Sequence, residues 1–517
     1  MFISRSCNQA STNPVIYLAA CLFLFSASVA VRAQHDASGG TPAGMVGGSV
    51  SGTTGRTSSK AATASSPPRR RAPAPVRKPP VRGLSADYYN RQGDEFYKTN
   101  NYKDALEAYL KAVELNPNLA TAQYRIGWIY NDREEYEDAL EALKRATALQ
   151  ADNSTAFAEL GYSYRKLNRY DEALAAYQRA LRIKPDYATP YYEIAWIKND
   201  QDDYSAAVTN LKQALRYKPD YPEAHTELGY SYRKLGRYSE AIEEYQEAIR
   251  LKPDMGLAHL GLGDVYFYNT KQYPEAIKEY KEGVRLKPDS PVAFYNLAWS
   301  YNDLDRFEEG YEAAAQAIRL KKEYPEAYVE HGYANRKIGE KLPAKSAAAR
   351  ERFDAALTAY KVAILQKPNF ALAYSGLGDV YNYGLGDYTQ AAEAYKQSLR
   401  LDANNAGLQY KIGWCYNDLN RFSEAIASLR EAVRVKPEYA EAHNELGYSY
   451  HQMHRYTEAI EEYKTAIRQK SDYPLAHFNL AVSYLAMSNR NEALEQYRIL
   501  QRMDPDRAVK LYNLINK

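Results

Sequence analysis

Two stretches decide how this chain folds: LGYSYRKLNRYDEALAAYQRALRIKPDY (160–187) and LGYSYRKLGRYSEAIEEYQEAIRLKPDM (228–255). They are 68 residues apart, and a variant of the same template, IAWIKNDQDDYSAAVTNLKQALRYKPDY (194–221), lies between them. The period is therefore 34, long enough for two short helices and their turns. Working outward, the template recurs with starts near Ala86, Ala120, Ser154, Ala188, Pro222, Gly256, Pro291, Pro325, Ala371, Ala406, Ala440 and Pro474. A chain of 517 residues exceeds what one compact core serves, about 250–300 residues, and an array meets that limit by stacking.

Within each unit the eighth position is Gly or Ala, as in Gly93, Gly127, Gly161 and Ala195. An Ala opens most second helices (Ala105, Ala139, Ala173, Ala207), with Gly310 the exception in the seventh unit. Small residues at both places let two helices approach closely. Second helices are expected to be capped by Asp171, Ser205, Ser239, Asp354, Ser423 and Thr457. They are expected to stop at the Lys-Pro pairs 184–185, 218–219, 252–253, 287–288, 367–368 and 436–437. Units six and nine carry one extra residue, and the eighth about twelve, EKLPAKSAAARE (340–351), which either extend a helix or protrude as a loop. RAVKLYNLINK (507–517) has helical apolar spacing and reads as a cap over the last unit.

This pattern resembles the tetratricopeptide repeat. The resemblance covers 86–507 and implies an all-α, right-handed superhelical solenoid of about twelve helix-turn-helix units, with residues 508–517 as a capping helix. It further implies a concave groove lined by first helices, with ligands touched at about the second, fifth, ninth, twelfth and thirteenth positions of a unit.

The four Trp of the chain all occupy the ninth position of IGWIYND (126–132) and its copies. The resulting stripes are Tyr124, Trp128, Asn131 and Asp132; Tyr192, Trp196, Asn199 and Asp200; Tyr295, Trp299, Asn302 and Asp303; and Tyr410, Trp414, Asn417 and Asp418. Residues four apart lie above one another on a helix. Each following unit has Tyr at that place, with a basic pair behind it in three cases: Tyr162 with Arg165 and Lys166, Tyr230 with Arg233 and Lys234, and Tyr333 with Arg336 and Lys337. The fourth, Tyr448, is followed by His451 and Gln452. Two explanations stand side by side. In one, these residues line a partner-binding groove, where Trp and Tyr give large contact areas. In the other, they pack between units, with Asp132 paired to Arg165 or Lys166, Asp200 to Arg233 and Asp303 to Arg336.

The N-terminus reads as an export signal over 1–33, with an apolar run at 15–31 and cleavage after Ala33; a membrane anchor through the same run is the rival reading. Cys21 within Leu18-Ala19-Ala20-Cys21 offers a weaker lipoprotein reading. Export gives a periplasmic or extracellular protein, or a membrane-anchored one if the signal stays. Cys7 and Cys21 leave with the signal, so Cys415 stands alone and no intrachain disulfide is expected. Residues 34–85 form a linker, first Gly/Ser-rich, then basic and Pro-rich at PPRRRAPAPVRKPPVRG (67–83). The linker carries about +7 and the array about −6, which argues against nucleic acid as the partner and raises self-occlusion of the groove by the linker as a weaker idea.

No HExxH, GxxxxGK or nucleophile elbow is present, so neither cofactor, metal nor catalysis is expected. Four His (His225, His259, His443, His477) share the fourth position of their units, which points to a shared packing role. The leading function is a scaffold holding protein segments, in cell-envelope assembly. The alternative is a carbohydrate-binding module of a polysaccharide-export or cell-wall system, with aromatic faces stacking on sugar rings.

Overall fold

The computed structural model describes residues 85–516. The expectations for 1–33, for cleavage after Ala33, and for the linker up to Leu84 lie outside the described residues. The array belongs to one compact unit, Ser85–Lys517, and every regular element among the described residues is helical. The helices come in twelve consecutive pairs followed by one last helix, Pro505–Ile515.

A standard unit has a first helix of 13 residues, such as Ala120–Asp132, and a second of 14, such as Tyr136–Leu149. The turn between them holds one residue in the left-handed region, as at Asn100, Glu134, Asn168, Asp202 and Gly236. That conformation ends a helix and satisfies its last carbonyls. The second helix then begins at the aromatic residue (Tyr170, Tyr204, Tyr238, Phe422, Tyr456), earlier than the expected caps imply. Asp171, Ser205, Ser239, Ser423 and Thr457 therefore sit inside the first turn, and Asp354 lies well inside its helix. The N-cap place is held by Arg169, Arg237, Arg421 and Arg455, which make no side-chain cap. Each Arg instead pairs with the Glu three residues on, as Arg169 does with Glu172 at 2.6 Å and Arg455 with Glu458 at 2.6 Å. A carboxylate in the first turn also suits the positive helix end. The second helices do stop at the Lys of Lys-Pro: Lys184, Lys218, Lys252, Lys287, Lys367 and Lys436 are the C-cap residues.

Close helix packing explains the small residues. A Cβ on Gly161 would stand 2.7 Å from the Tyr177 ring, and one on Gly378 2.6 Å from the Tyr395 ring. Ala105, Ala139, Ala173 and Ala207 are fully buried. Gly310 replaces that Ala in the seventh unit because a Cβ there would overlap the Asn302 side-chain oxygen.

The irregular units keep the packing by local means. The extra residue of units six and nine is absorbed as a π-helical turn ending the first helix, Val265–Thr270 and Val380–Leu385. The insertion in the eighth unit lengthens both helices, to Pro325–Lys341 and Ala347–Gln366, with Ser346 capping the second. Its Phe353 is buried against Gly339 and against Gly384 of the next unit.

First helices of successive units touch one another, whereas second helices touch mainly their own partner and the next first helix. The first helices therefore form the inside of the curve. The last helix buries Ala508, Leu511 and Ile515, while Tyr512 is exposed. No helix among the described residues is long and apolar enough to cross a membrane.

Candidate partner-binding face

The ninth-position rings form a ladder between units. Trp128 meets Tyr97 and Tyr102 of the preceding unit edge-on, at 5.3 and 5.2 Å between centroids. Trp299 meets Phe267 and Tyr273 at 5.0 and 4.9 Å, and Trp414 meets Tyr388 at 5.6 Å. Trp196 lies under the Arg165 guanidinium at 4.5 Å. The Tyr units continue the pattern, with Tyr162 on Tyr136 at 6.3 Å, Tyr230 on Tyr204 at 6.1 Å and Tyr448 on Phe422 at 6.2 Å. Such pairs contribute about 0.5–1.5 kcal/mol each beyond burial. One side of each ring is thus structural. Trp299 is buried outright, while Trp128, Trp196 and Trp414 remain half-buried with surface open to the inner face.

The Asn residues are not on that face. Asn131, Asn199, Asn302 and Asn417 are all buried, 3–6% exposed. Each donates its amide to a Glu of the next unit: Asn131 to Glu159 at 2.9 Å, Asn199 to Glu227 at 2.9 Å, Asn302 to Glu330 at 3.0 Å and Asn417 to Glu445 at 3.1 Å. Ser163, Ser231 and Ser449 close the staple by donating to the amide oxygens of Asn131, Asn199 and Asn417 at 2.6, 2.8 and 2.7 Å. The eighth unit has Ala334 in place of that Ser. A buried amide needs partners for both ends, and the neighbouring unit supplies them for Asn131, Asn199 and Asn417, whereas the Asn302 oxygen has none.

The anticipated Asp–Arg pairs give way to other partners. Arg165 binds Glu193 at 2.6 Å, and Arg233 and Arg336 approach Asp264 and Asp379 at 3.8 Å, each in the unit that follows. Asp379 also accepts from Lys411 and the Tyr395 hydroxyl, both at 2.7 Å. Burial works against the Asp379 charge, yet Lys411 and Arg336 outweigh it and hold the carboxyl below its usual range. Asp132, Asp200 and Asp303 are exposed at the ends of their first helices, and Asp200 accepts from Tyr170 at 2.8 Å. Lys166 lies over Tyr136 and Tyr162, both at 5.6 Å, and Lys234 over Tyr230 at 5.6 Å. The thirteenth position therefore carries a column of alternating sign through Lys98, Asp132, Lys166, Asp200 and Lys234. Tyr192, Tyr295 and Tyr410 close onto the loop tyrosines Tyr221, Tyr324 and Tyr439 at 5.1, 5.3 and 5.1 Å, and Tyr124 is half-buried.

Family models of the tetratricopeptide repeat match residues 90–153, 192–256, 226–291 and 344–406, and a second such model matches 292–324. A TPR-repeat model matches 161–196, 415–454 and 449–488. The chain belongs to the tetratricopeptide-repeat family.

Comparison with curated proteins gives no match. Among solved structures, the chain is similar to YrrB, described as a TPR protein with an unusual peptide-binding site (23% identity over 36% of this chain and 96% of that one, TM-score 0.32). It is also similar to the APC/C hetero-tetramer Cut9–Hcn1 (15% identity, 84% and 96% coverage, TM-score 0.39). A third is the C-terminal part of a TPR repeat-containing protein from Cytophaga hutchinsonii (18% identity, 46% and 98% coverage, TM-score 0.38). As a tetratricopeptide-repeat array the chain is a protein–protein interaction scaffold.

Two further features of this tetratricopeptide-repeat face stand out. The His at the fourth position are internal ties: His225, His259 and His443 bond Glu244, Glu279 and Glu462 at 2.6, 2.7 and 2.6 Å, and His477 bonds Gln496 at 2.7 Å. Sequence reasoning overlooked the sixth position. Every Tyr-type unit carries Glu there, readable as ELGY at 159–162, 227–230 and 445–448 and EHGY at 330–333. Burial pushes Glu159 and Glu445 up to about 7 and raises Glu227, with the Asn amide opposing it in each case. Burial likewise raises Asp418 to about 6.

Proposed function

We propose that this chain is a non-catalytic scaffold that holds partner polypeptide segments along the inner face of its first helices, in the assembly of a cell envelope. What carries the reading is the pairing of half-open Trp128, Trp196 and Trp414 with the alternating charges of the thirteenth position. Rigid aromatic surface beside ordered charge is the composition of binding hot spots. The apolar run at 15–31 supports export or membrane tethering, which fractionation of the source cells tests directly. The carbohydrate alternative loses the Asn amides it relied on, since all four are committed to the neighbouring unit.

The test replaces Trp128, Trp196 and Trp414 by Phe, which keeps a ring against the preceding unit and removes the indole surface. The full chain and the variant are used as baits on the envelope fraction, with circular dichroism and melting measured on both. Capture of a client by the parent alone, at equal helicity, is expected. Equal capture by both baits refutes this face as the binding site.

A further inference from the structure

Lys98, Asp132, Lys166, Asp200 and Lys234 are the last residues of the first helices Ala86–Lys98, Ala120–Asp132, Ser154–Lys166, Ala188–Asp200 and Pro222–Lys234. Each is one unit from the next, so charge alternates in sign from the first unit to the fifth. Partial negative charge gathers at a helix C-terminus, where Lys is favoured and Asp is opposed. The three Lys therefore suit their own helices, and the two Asp work against theirs. Second helices keep to the rule, with Arg182, Arg216 and Arg250 in the last turns of units three to five.

Among the described residues no cation compensates these Asp. Asp132 and Asp200 are exposed and form no ion pair, and Asp200 accepts the Tyr170 hydroxyl at 2.8 Å. The Lys of the column are held elsewhere. Lys166 lies over Tyr136 and Tyr162, and Lys234 over Tyr230, each at 5.6 Å and without an ion pair. Lys98 meets Glu95 of its own helix at 2.9 Å, an exposed pair that holds it weakly. An Asp that breaks the rule of its helix without gain to the fold marks a place where function is expected. Spacing adds to this. Packed helices lie about 8–10 Å apart, and three residues of an extended chain span about 10 Å. A segment laid across the first helices meets one column charge at every third residue.

We propose that this column is a charge register for the partner. Units one to five take an extended polypeptide that alternates acidic and basic residues at every third place, acidic opposite Lys98, Lys166 and Lys234 and basic opposite Asp132 and Asp200. The inference rests on the scaffold reading and names the chemistry of its client. The order acid, base, acid, base, acid is the same from either end, so chain direction does not alter the match.

The probes are two fluorescein-labelled peptides, each with Ser-Thr between successive charges, titrated by anisotropy into the full chain at low salt. One carries the charges in the order Glu, Lys, Glu, Lys, Glu. The other carries the same residues in the order Lys, Glu, Glu, Glu, Lys, so net charge, composition and spacing are equal and the basic linker attracts both alike. The alternating peptide is expected to bind at least about tenfold tighter, a preference that fades at about 1 M salt. Asp132→Lys with Asp200→Lys makes the column uniformly basic and is expected to bring the two affinities within about twofold. Lys suits those helix ends, so this variant is expected to keep its helicity and melting temperature. Asp152→Lys with Asp186→Lys makes the same change of charge at exposed turns between units and is expected to leave the preference intact. Equal binding of the two peptides by the unaltered chain overturns the proposal. So does failure of both to bind, or a preference that survives in the column variant. A chain that captures its client through the Trp yet does not tell the peptides apart keeps the scaffold reading and loses the register, so the two failures are distinct.

Discussion

Asn417→Ala separates a structural Asn from a ligand-contacting one. In the native array the Asn417 amide donates to the Glu445 carboxyl at 3.1 Å and accepts from Ser449 at 2.7 Å, in a site 5% exposed. A hydrogen bond to a carboxylate contributes about 1.5–3 kcal/mol and one to a hydroxyl about 1 kcal/mol. Ser449 keeps its second bond, to the Glu445 carbonyl at 2.9 Å, so its hydroxyl is not left orphaned. The expected loss is therefore about 2–4 kcal/mol at the joint between units ten and eleven. Asn302→Ala is the internal control: its side-chain oxygen has no partner, because Ala334 stands where the Ser would be. It should cost about 1 kcal/mol less. Hydrogen exchange of the helices on either side reads each joint separately, which global melting of an array does not. If Asn417→Ala leaves exchange unchanged while abolishing capture of a partner, the staple assignment is wrong and the Asn belongs to the ligand.

Other outcomes follow from the same geometry. Gly261→Ala sets a Cβ 2.5 Å from the Tyr245 ring and should destabilise by about 1–3 kcal/mol, outweighing the propensity gain of Ala, as urea melts will show. Glu159 and Glu445 keep their protons up to about 7 when folded and lose them near 4.5 when unfolded, so the native state is favoured by acid across that window. Melting temperature should fall as pH rises from 5 to 7.5, by up to about 3 kcal/mol of stability per carboxyl, and Glu159→Gln with Glu445→Gln should flatten the dependence. Lys411→Met strips Asp379 of its nearest cation and should cost about 3–5 kcal/mol in chemical denaturation. Burial pushes the Cys415 thiol up to about 12, so a thiol reagent should label the native chain far more slowly than the denatured one.

The period of 34, the paired small residues and the Lys-Pro stops were legible because each reports a local or nearest-neighbour demand that any unit must meet. The N-terminal caps were misplaced because the reading favoured the first Asp or Ser after the aromatic. Outside the lengthened eighth unit each of these helices starts at the aromatic itself, with Arg at the cap and its Glu one turn on in four cases and Asp203 capping in the fifth. The destination of Asn131 and its equivalents was hidden for a different reason. The family resemblance counts the twelfth position among those that touch ligands, and nothing in one unit tells that Glu159 and Ser163 of the next will cover it. A comparison of units would have found the signal, since Asn at the twelfth position is always followed 28 residues later by the Glu of ELGY or EHGY. The Trp lay between the two explanations offered for them: one edge packs on the preceding unit, and for three of the four the rest stays open.

The amide staples also have a mechanical meaning. They join units two to three, four to five and ten to eleven, with a partial version at seven to eight. Joints three to four, five to six and eight to nine carry ion pairs in place of the staple, over apolar packing that runs on across each of them. Pulled from its ends, such an array is a spring of unequal couplings in which stapled pairs move as blocks; the ion pairs between blocks are largely buried, so added salt should change its stiffness little. A long client would then meet a scaffold that stretches in two-unit strides, its stapled joints staying closed while the spacing between blocks changes.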